Sequence, residues 1–392
     1  MKIVYLTNAR LPTEKAHGLA TVKMCEAFAK EGVEVTIVHP WRVNPLHGDV
    51  FHYYRAERNF RIVKLPSLDF LWLGFGQQFF FLVQIFSFSI IAALWLFLRY
   101  GLAGKLRDTV IFSHDHVPLF FASFFAPRIF YDIHHYPEHA PLYRRVLRRA
   151  IGIGVQTQWK VEALRRDFGI PAVRIVYWPN GTDVERFGIP FSATEARTKL
   201  QLPQDVRIAL YSGSLQRWKG VETLVEASQF LPSGAMVYIV GGSEREMQEF
   251  KILAFAMASA GRQHSKFKIQ FAGQRPWAEI PVWLKAADVL VLPNTGAMKV
   301  SRHYTSPMKL FEYMASGRPV VASDIPSIRE IVDETMVFFA KPDDPRSFAD
   351  AIQEVLANPG EVQRRADRAR QEVRKYTWEA RAQKILTQIR NS

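Results

Sequence analysis

Short runs of β-branched and aromatic residues alternate with helix-period patterns along almost the whole 392-residue chain, and few folds satisfy that constraint. The pattern predicts strands over Lys2–Thr7, Glu34–His39, Thr109–Ser113, Ile129–Ile133, Ile151–Gln156 and Arg174–Trp178. A second series is predicted over Arg207–Ser212, Met236–Gly241, Lys268–Ala272, Asp288–Pro293, Pro319–Ser323 and Met336–Ala340. Helical patterns fall between them, among them Leu19–Lys30, Gln158–Arg166, Val221–Phe230, Ile280–Ala287 and Pro345–Leu356. Strict alternation gives parallel sheets covered by helices on both faces, so two series imply two doubly wound α/β domains. In such domains ligands bind outside the carboxyl ends of the strands. The break is expected in Trp178-Pro179-Asn180-Gly181-Thr182-Asp183, continuing to Pro190, where an Asn-Gly turn between prolines suits a hinge.

Apolar residues at 48% and charged residues at 22% describe a folded, globular chain. The single cysteine, Cys25, rules out a disulfide framework and a cysteine-built metal site, and suits a reducing compartment. Met1-Lys2 leads directly into the strand-like Ile3–Leu6, with no secretory pattern, so a cytoplasmic location is expected. The formal net charge is +14; residues 1–184 hold 22 Lys/Arg against 14 Asp/Glu, a surplus of +8. A basic balance points to nucleic acid, an anionic lipid surface or phosphorylated substrates. No helix-turn-helix, zinc-finger or RNA-binding aromatic signature is present, so nucleic acid is not an expected partner.

One stretch departs from the alternation. Phe70–Leu98 is strongly apolar, with a basic edge at Arg99 and Lys105, and a spanning helix needs about 20 apolar residues. Gln77, Gln78, Gln84, Ser87 and Ser89 interrupt it, and spanning would put the strands of one sheet on opposite sides of a bilayer. The expected order is therefore a helix on the membrane face, then a buried helix, then a span. Arg144, Arg145, Arg148 and Arg149 share one helix face by spacing and suit anionic headgroups or a phosphorylated acceptor, or else form a solvated basic face.

The most informative segment runs from Tyr304 to Pro319. Ser306 is a suitable N-cap, Pro307 suits the first helical position, Gly317 the left-handed C′ position, and Pro319 stops the helix. The helix N-terminus then offers free N–H groups beyond the Asp288–Pro293 strand, an anion site suited to a diphosphate. Glu312, about one and a half turns in, is placed to accept from a ribose diol; alternatively Lys309 and Glu312 form an i, i+3 pair on an exposed helix. The second segment, Tyr211–Gly220, follows a predicted strand, with Gly213 for close backbone approach and Arg217 and Lys219 for charge. It is neither the dinucleotide fingerprint nor a phosphate-loop motif, which disfavours a nicotinamide dehydrogenase.

Taken together, Ser306–Asp324, Gly213…Lys219-Gly220, Pro179–Asp183, Lys15-Ala-His-Gly18 and Tyr376-Thr-Trp-Glu379 resemble the retaining glycosyltransferases of family four, the group 1 glycosyl transferases. The resemblance implies the GT-B fold: two facing Rossmann-like doubly wound domains with an interdomain cleft. By that analogy residues 1–178 form the acceptor-side domain, 179–375 the nucleotide-sugar domain, and 376–392 a helix returning to the first. It implies that Lys219 contacts the donor diphosphate, Glu312 the ribose, and Ser306 with the backbone of Met308, Lys309 and Leu310 the phosphate or sugar. The turn at Gln274 and Arg275 would face the base, and Gly18 would let its loop approach the transferred sugar. His134, with His135 as the alternative, matches the family's active-site histidine and is expected to bind the donor sugar.

Two residues depart from the family pattern. Tyr304 stands where a first glutamate is usual, and Ser214 where an arginine is usual, with Arg217 as a substitute charge. The implied reaction is a metal-independent, retaining transfer from a nucleoside-diphosphate sugar, a co-substrate and not a bound cofactor. A donor phosphate oxygen would take the acceptor's proton, and closure about Asn180–Gly181 would exclude water. The apolar run favours a lipid-linked or polysaccharide acceptor and a peripheral position on the inner face of the cell membrane. His114, Asp115 and His116 alternate sides without a further ligand, so no metal site is expected. A nucleotide-sugar epimerase and a non-catalytic, membrane-associated homologue are the competing readings.

Overall fold

The computed structural model describes residues 1–136, 141–250 and 268–392. The chain divides into two compact units: Met1–Pro179 with Trp378–Ser392, and Asn180–Thr377.

In the first unit seven strands form one sheet: β1 (Lys2–Leu6), β2 (Glu34–Pro40), β3 (Arg61–Leu65), β4 (Thr109–Ser113), β5 (Ile129–Ile133), β6 (Ala150–Val155) and β7 (Ile175–Tyr177). Their order is β3-β2-β1-β4-β5-β6-β7, with every pairing parallel. The order reverses between β1 and β4, so the segments after these strands flank the switch point where such sheets bind ligands. β3 is absent from the sequence-based expectation. It is an edge strand whose Arg61 and Lys64 are exposed, so it lacks the apolar run that marks the central strands. The core stacks Phe112 on Phe130 with ring centroids 5.0 Å apart, and the helix Trp378–Arg390 packs on Ala16–Lys30.

The apolar run forms a single turn, Leu71–Leu73, and a helix, Gln77–Leu96, extended by a π-turn over Phe97–Gly101. Phe88, Ala92 and Leu96 are wholly buried against Val4, Leu6 and Ile111. The arginine-rich segment is helical over Pro141–Arg149. Its arginines do not act as one face: Arg145 donates to Ser123 Oγ at 2.8 Å and lies over the Phe124 ring, while Arg144, Arg148 and Arg149 stay exposed.

The second unit carries β8 (Arg207–Ser212), β9 (Ala235–Val240), β10 (Ile269–Gly273), β11 (Val289–Leu292), β12 (Val320–Ser323) and β13 (Phe338–Ala340). The order is β10-β9-β8-β11-β12-β13, again parallel throughout, with its switch point between β8 and β11. Strand ends move by a residue or two from the expected bounds at Pro293 and Pro319, which have no N–H to give to a ladder. Pro319 still contributes its carbonyl, which accepts from Leu290 N at 2.9 Å.

Candidate functional site

In the second unit the carboxyl ends of β8, β9 and β11 bring both chemistry-bearing segments of the sequence together. Gly213 follows β8 at φ 144°, and a Cβ there would overlap Lys309 Cε and Nζ, so the lysine side chain lies directly across this backbone. Gly220 closes the Arg217–Lys219 turn at φ 63°, where a Cβ would overlap the Pro293 carbonyl. The lysine turn is thereby pressed onto the loop after β11, and Thr295 N donates to Trp218 O at 3.4 Å. Tyr211 Oη donates to the Ser214 carbonyl at 2.7 Å and Ser212 N donates to Tyr313 Oη at 2.9 Å, which tie the end of β8 to the Glu312 helix.

That helix spans Met308–Ser316, with Gly317 in the left-handed conformation at its C-terminus. Its start differs from the expectation. Pro307 is the cap residue, not the first helical residue, and no side chain caps the first turn. Ser306 Oγ instead accepts from Asn180 N at 3.1 Å, and Asn180 Nδ2 donates to the Ser306 carbonyl at 2.7 Å. The Asn-Gly segment thus fixes where the helix begins. Leu310 N donates to Pro307 O at 2.9 Å, so that N–H is engaged within the first turn.

Lys219 and Glu312 are buried, and among the described residues no ion pair joins either to Lys309. The Lys219 ammonium sits 3.5 Å from the Trp218 ring centroid. Burial pushes Lys219 well below the usual lysine range, repulsion from Lys309 pushes the same way, and Glu312 opposes both. Burial also lowers Lys309, against Glu312. Glu312 is raised by burial, against Lys309, Arg186 and Lys219. All three groups are pushed toward neutrality, and a bound anion would restore the charge on the lysines.

Arg217 is exposed beside this cluster, and its charge opposes the burial that raises Glu222. Gln274 and Arg275 are exposed in the turn after β10, where Arg275 Nε donates to the Ala272 carbonyl at 3.1 Å. That turn shares the sheet edge with the lysine turn, because Gly213 N donates to Val240 O and Gly241 N to Gly273 O, each at 2.7 Å. Tyr304 ends the Val300–Tyr304 π-turn leading into the Glu312 helix. The sequence pattern did not single out Arg186, whose guanidinium stacks 3.3 Å from the Trp277 ring and acts on Glu312. Its position three residues after Asp183, which caps the Val184–Phe187 helix, was the available signal.

In the first unit His134 follows β5; Pro137, which ends its motif, lies outside the described residues. His134 Nε2 lies 3.2 Å from Asp132 Oδ2, while His135 is exposed. Asp132 also accepts from Gln156 Nε2 at 2.9 Å and from both terminal nitrogens of Arg381. Buried Lys160 donates to the Ile133 and His134 carbonyls at 3.0 and 2.9 Å, fixing the turn that carries the ring. The His134 ring stacks on His114 at 5.1 Å, and His114 Nδ1 lies 3.0 Å from Tyr5 Oη. Burial lowers His134 to about 4 despite Asp132, and burial lowers His17 to about 4 as well, so both rings are neutral at pH 7. Burial alone would raise Asp132; Arg381 and His134 outweigh it and hold the carboxyl well below its usual range.

Gly18 is closely packed within its own loop. A Cβ there would overlap Thr13 Cγ2 and come against Tyr54 Oη, which accepts from Thr13 N and donates to Thr13 O, each at 2.7 Å. The loop's own packing therefore requires the glycine. Among the described residues no group of three or more His, Cys, Asp or Glu is placed to hold a metal ion.

Residues 206–358 match the family model described as Glycosyl transferases group 1, and residues 19–186 match Glycosyltransferase Family 4. The chain is 27% identical over 248 residues to a D-inositol 3-phosphate glycosyltransferase of Xylanimonas cellulosilytica, covering 62% of this chain and 57% of that protein. It is 27% identical over 256 residues to a phosphatidyl-myo-inositol mannosyltransferase of Mycobacterium tuberculosis, covering 63% of this chain and 60% of the relative. The match therefore spans less than two thirds of these relatives. Among solved structures, a sucrose-phosphate synthase from Thermosynechococcus elongatus superposes with a TM-score of 0.76 at 20% identity, covering 100% of this chain and 98% of that one. Anabaena HepE in complex with UDP gives 0.75 at 18% identity, with both chains fully covered. At these identities the likeness establishes the GT-B fold alone.

Proposed function

From the premise that the chain belongs to the group 1, family 4 glycosyltransferases, we propose that it moves a sugar from a nucleoside-diphosphate donor to an acceptor hydroxyl. The observation that carries this reading is the convergence of Lys219, Lys309 and Glu312 at the carboxyl edge of the second sheet, with Lys309 laid across Gly213. In this reading the diphosphate takes Lys219, Lys309 and the uncapped N–H groups of Met308 and Lys309, and Glu312 accepts from the ribose. The bond from the anomeric carbon to the phosphate oxygen breaks, and a bond to the acceptor oxygen forms. Negative charge grows on the leaving phosphate, where cations and N–H dipoles are already in place. These groups provide the stabilisation a divalent cation gives in other sites, so the transfer is metal-independent. Retention, with the acceptor proton passing to the departing phosphate, follows the family's pattern.

The HepE complex with UDP supports uridine as the first base to test. The relatives named for inositol phosphate and phosphatidyl-myo-inositol support a phosphorylated or lipid-linked polyol acceptor. A thermal-shift panel of UDP, GDP, ADP and CMP tests the donor site. One nucleotide at about 100 times its dissociation constant is expected to add about 2.7 kcal/mol of stability. No response to any of them from folded protein would overturn the assignment. Conversion of a sugar nucleotide to its epimer without acceptor would favour the epimerase instead.

A further inference from the structure

The helix Gln77–Leu96 has two unlike long faces, and both are apolar. One is consumed by the core, as described above. The other presents Phe79, Leu82, Phe86, Ile90, Leu94 and Phe97 to the outside at helical spacing. At the start of the helix Trp72 and Phe75 also project, 64% and 65% exposed. No charged residue occurs between Asp69 and Arg99. Soluble monomers rarely expose a contiguous apolar surface larger than a few hundred Å².

We propose that this face of the first unit docks onto an anionic lipid bilayer, with the helix lying in the plane of the leaflet and its outer stripe inserted. Length alone would allow the helix to span, but two observations oppose that. Phe88, Ala92 and Leu96 are part of the core. Gln84 and Asn8 exchange reciprocal amide bonds of 3.0 and 2.9 Å, buried, which hold the helix to the end of β1. A span would strip both. In the interfacial geometry the inner face keeps these partners while the outer stripe enters about 5–10 Å of the headgroup–acyl boundary.

Charge selects lipid over a second protein as the occupant. Exposed Arg99, Lys105 and Arg107 follow the stripe directly. The Pro141–Arg149 helix, with Arg144, Arg148 and Arg149 exposed, joins the stripe through the helix His116–Ala122. Phe86 meets Phe121 at 6.1 Å, Phe97 meets Phe125 at 5.8 Å, and Arg145 lies 3.8 Å from the Phe124 ring centroid, so aromatic contacts run from the stripe to the basic helix. A charge-free strip beside cations is what an anionic headgroup layer complements. The docked face is also close to the histidine cluster: Asn8, which holds Gln84, donates its backbone N–H to Asp115 at 2.7 Å. An acceptor carried on a lipid headgroup would be delivered at that end of the sheet.

Flotation of the full chain with phosphatidylcholine vesicles, and with vesicles in which a third of the lipid is phosphatidylglycerol, tests this. The wild type is expected to float with the anionic vesicles and much less with the neutral ones. Phe79→Ser/Phe86→Ser/Ile90→Ser is expected to lower the bound fraction at least about tenfold. Arg99→Gln/Lys105→Gln is expected to weaken anionic-vesicle binding about tenfold while leaving the neutral arm unchanged. The nucleotide thermal shift should survive in both variants, so loss of docking and loss of the donor site are read separately. Wild-type protein that stays at the bottom with both vesicles, or a triple variant that floats equally well, would overturn the proposal. So would light scattering that finds a dimer dispersed by the triple variant, since a second copy would then occupy the stripe.

Discussion

Arg381 reaches Asp132 with both terminal nitrogens, at 2.8 and 3.1 Å, across 249 residues of sequence. The same carboxylate oxygen that receives the longer of these bonds faces His134 Nε2. The final helix therefore sets the position of the candidate active-site histidine through one buried carboxylate.

Arg381→Met leaves Asp132 buried without its main countercharge and is expected to cost about 3–5 kcal/mol in urea unfolding. Asp132→Asn/Arg381→Met, which removes both charges, should be less destabilised than the sum of the single changes. Because Asp132 is held below the ordinary carboxylate range, its contribution is full above about pH 4 and fades as pH falls below that. A double variant no better than the sum would mean the pair is uncoupled.

His17, His39 and His134 are each lowered to about 4, burial being the first cause in all three. Unfolding frees them to bind protons from about pH 6.5 downward. Stability is thus full above pH 6.5 and falls as pH drops toward 4, since the unfolded state then binds more protons. Melting temperatures measured from pH 7.5 to 4.5 should show this decline, and His39→Asn should flatten it. A level profile over that range would contradict the neutral, buried assignment.

Gly213→Ala places a methyl where the Lys309 side chain lies. The fold is expected to survive at a cost of about 1–3 kcal/mol, while the nucleotide thermal shift shrinks or disappears. An unchanged shift would show that Lys309 does not reach the ligand.

A diphosphate bound to Lys219 and Lys309 should raise both from their lowered apo values. Binding then draws protons from solution, and affinity weakens as pH climbs through the liganded range. Calorimetry in two buffers of different ionisation heat reads the proton count directly; at alkaline pH equal heats would contradict the linkage. Lys219→Ala and Glu312→Ala are each expected to weaken nucleotide binding at least about tenfold with little change in folding.

The two sheets were legible because central strands of parallel sheets are near-continuous apolar runs, as in Val4–Leu6, Ile111–Phe112 and Val289–Leu292. The edge strand β3 escaped because half of it faces water. Helix termination at Gly317 was readable from local stereochemistry, whereas Ser306 was misassigned because its hydroxyl answers to Asn180, a partner 126 residues away. Asp132 and His134 stand two apart, on one side of a strand direction, and that hint lay within the motif. Nothing local pointed to Arg381. A pair formed across the chain by one long side chain leaves no periodicity and no composition signal.

The return of Trp378–Arg390 to the first unit also has a temporal consequence. Synthesis at roughly 5–20 residues per second separates Asp132 from Arg381 by some tens of seconds. In that interval the second unit can emerge and fold while the sheet begun first still carries an unneutralised carboxylate in its interior. The unit that starts first on the ribosome is finished last, and its holding time is set by the length of the unit inserted within it.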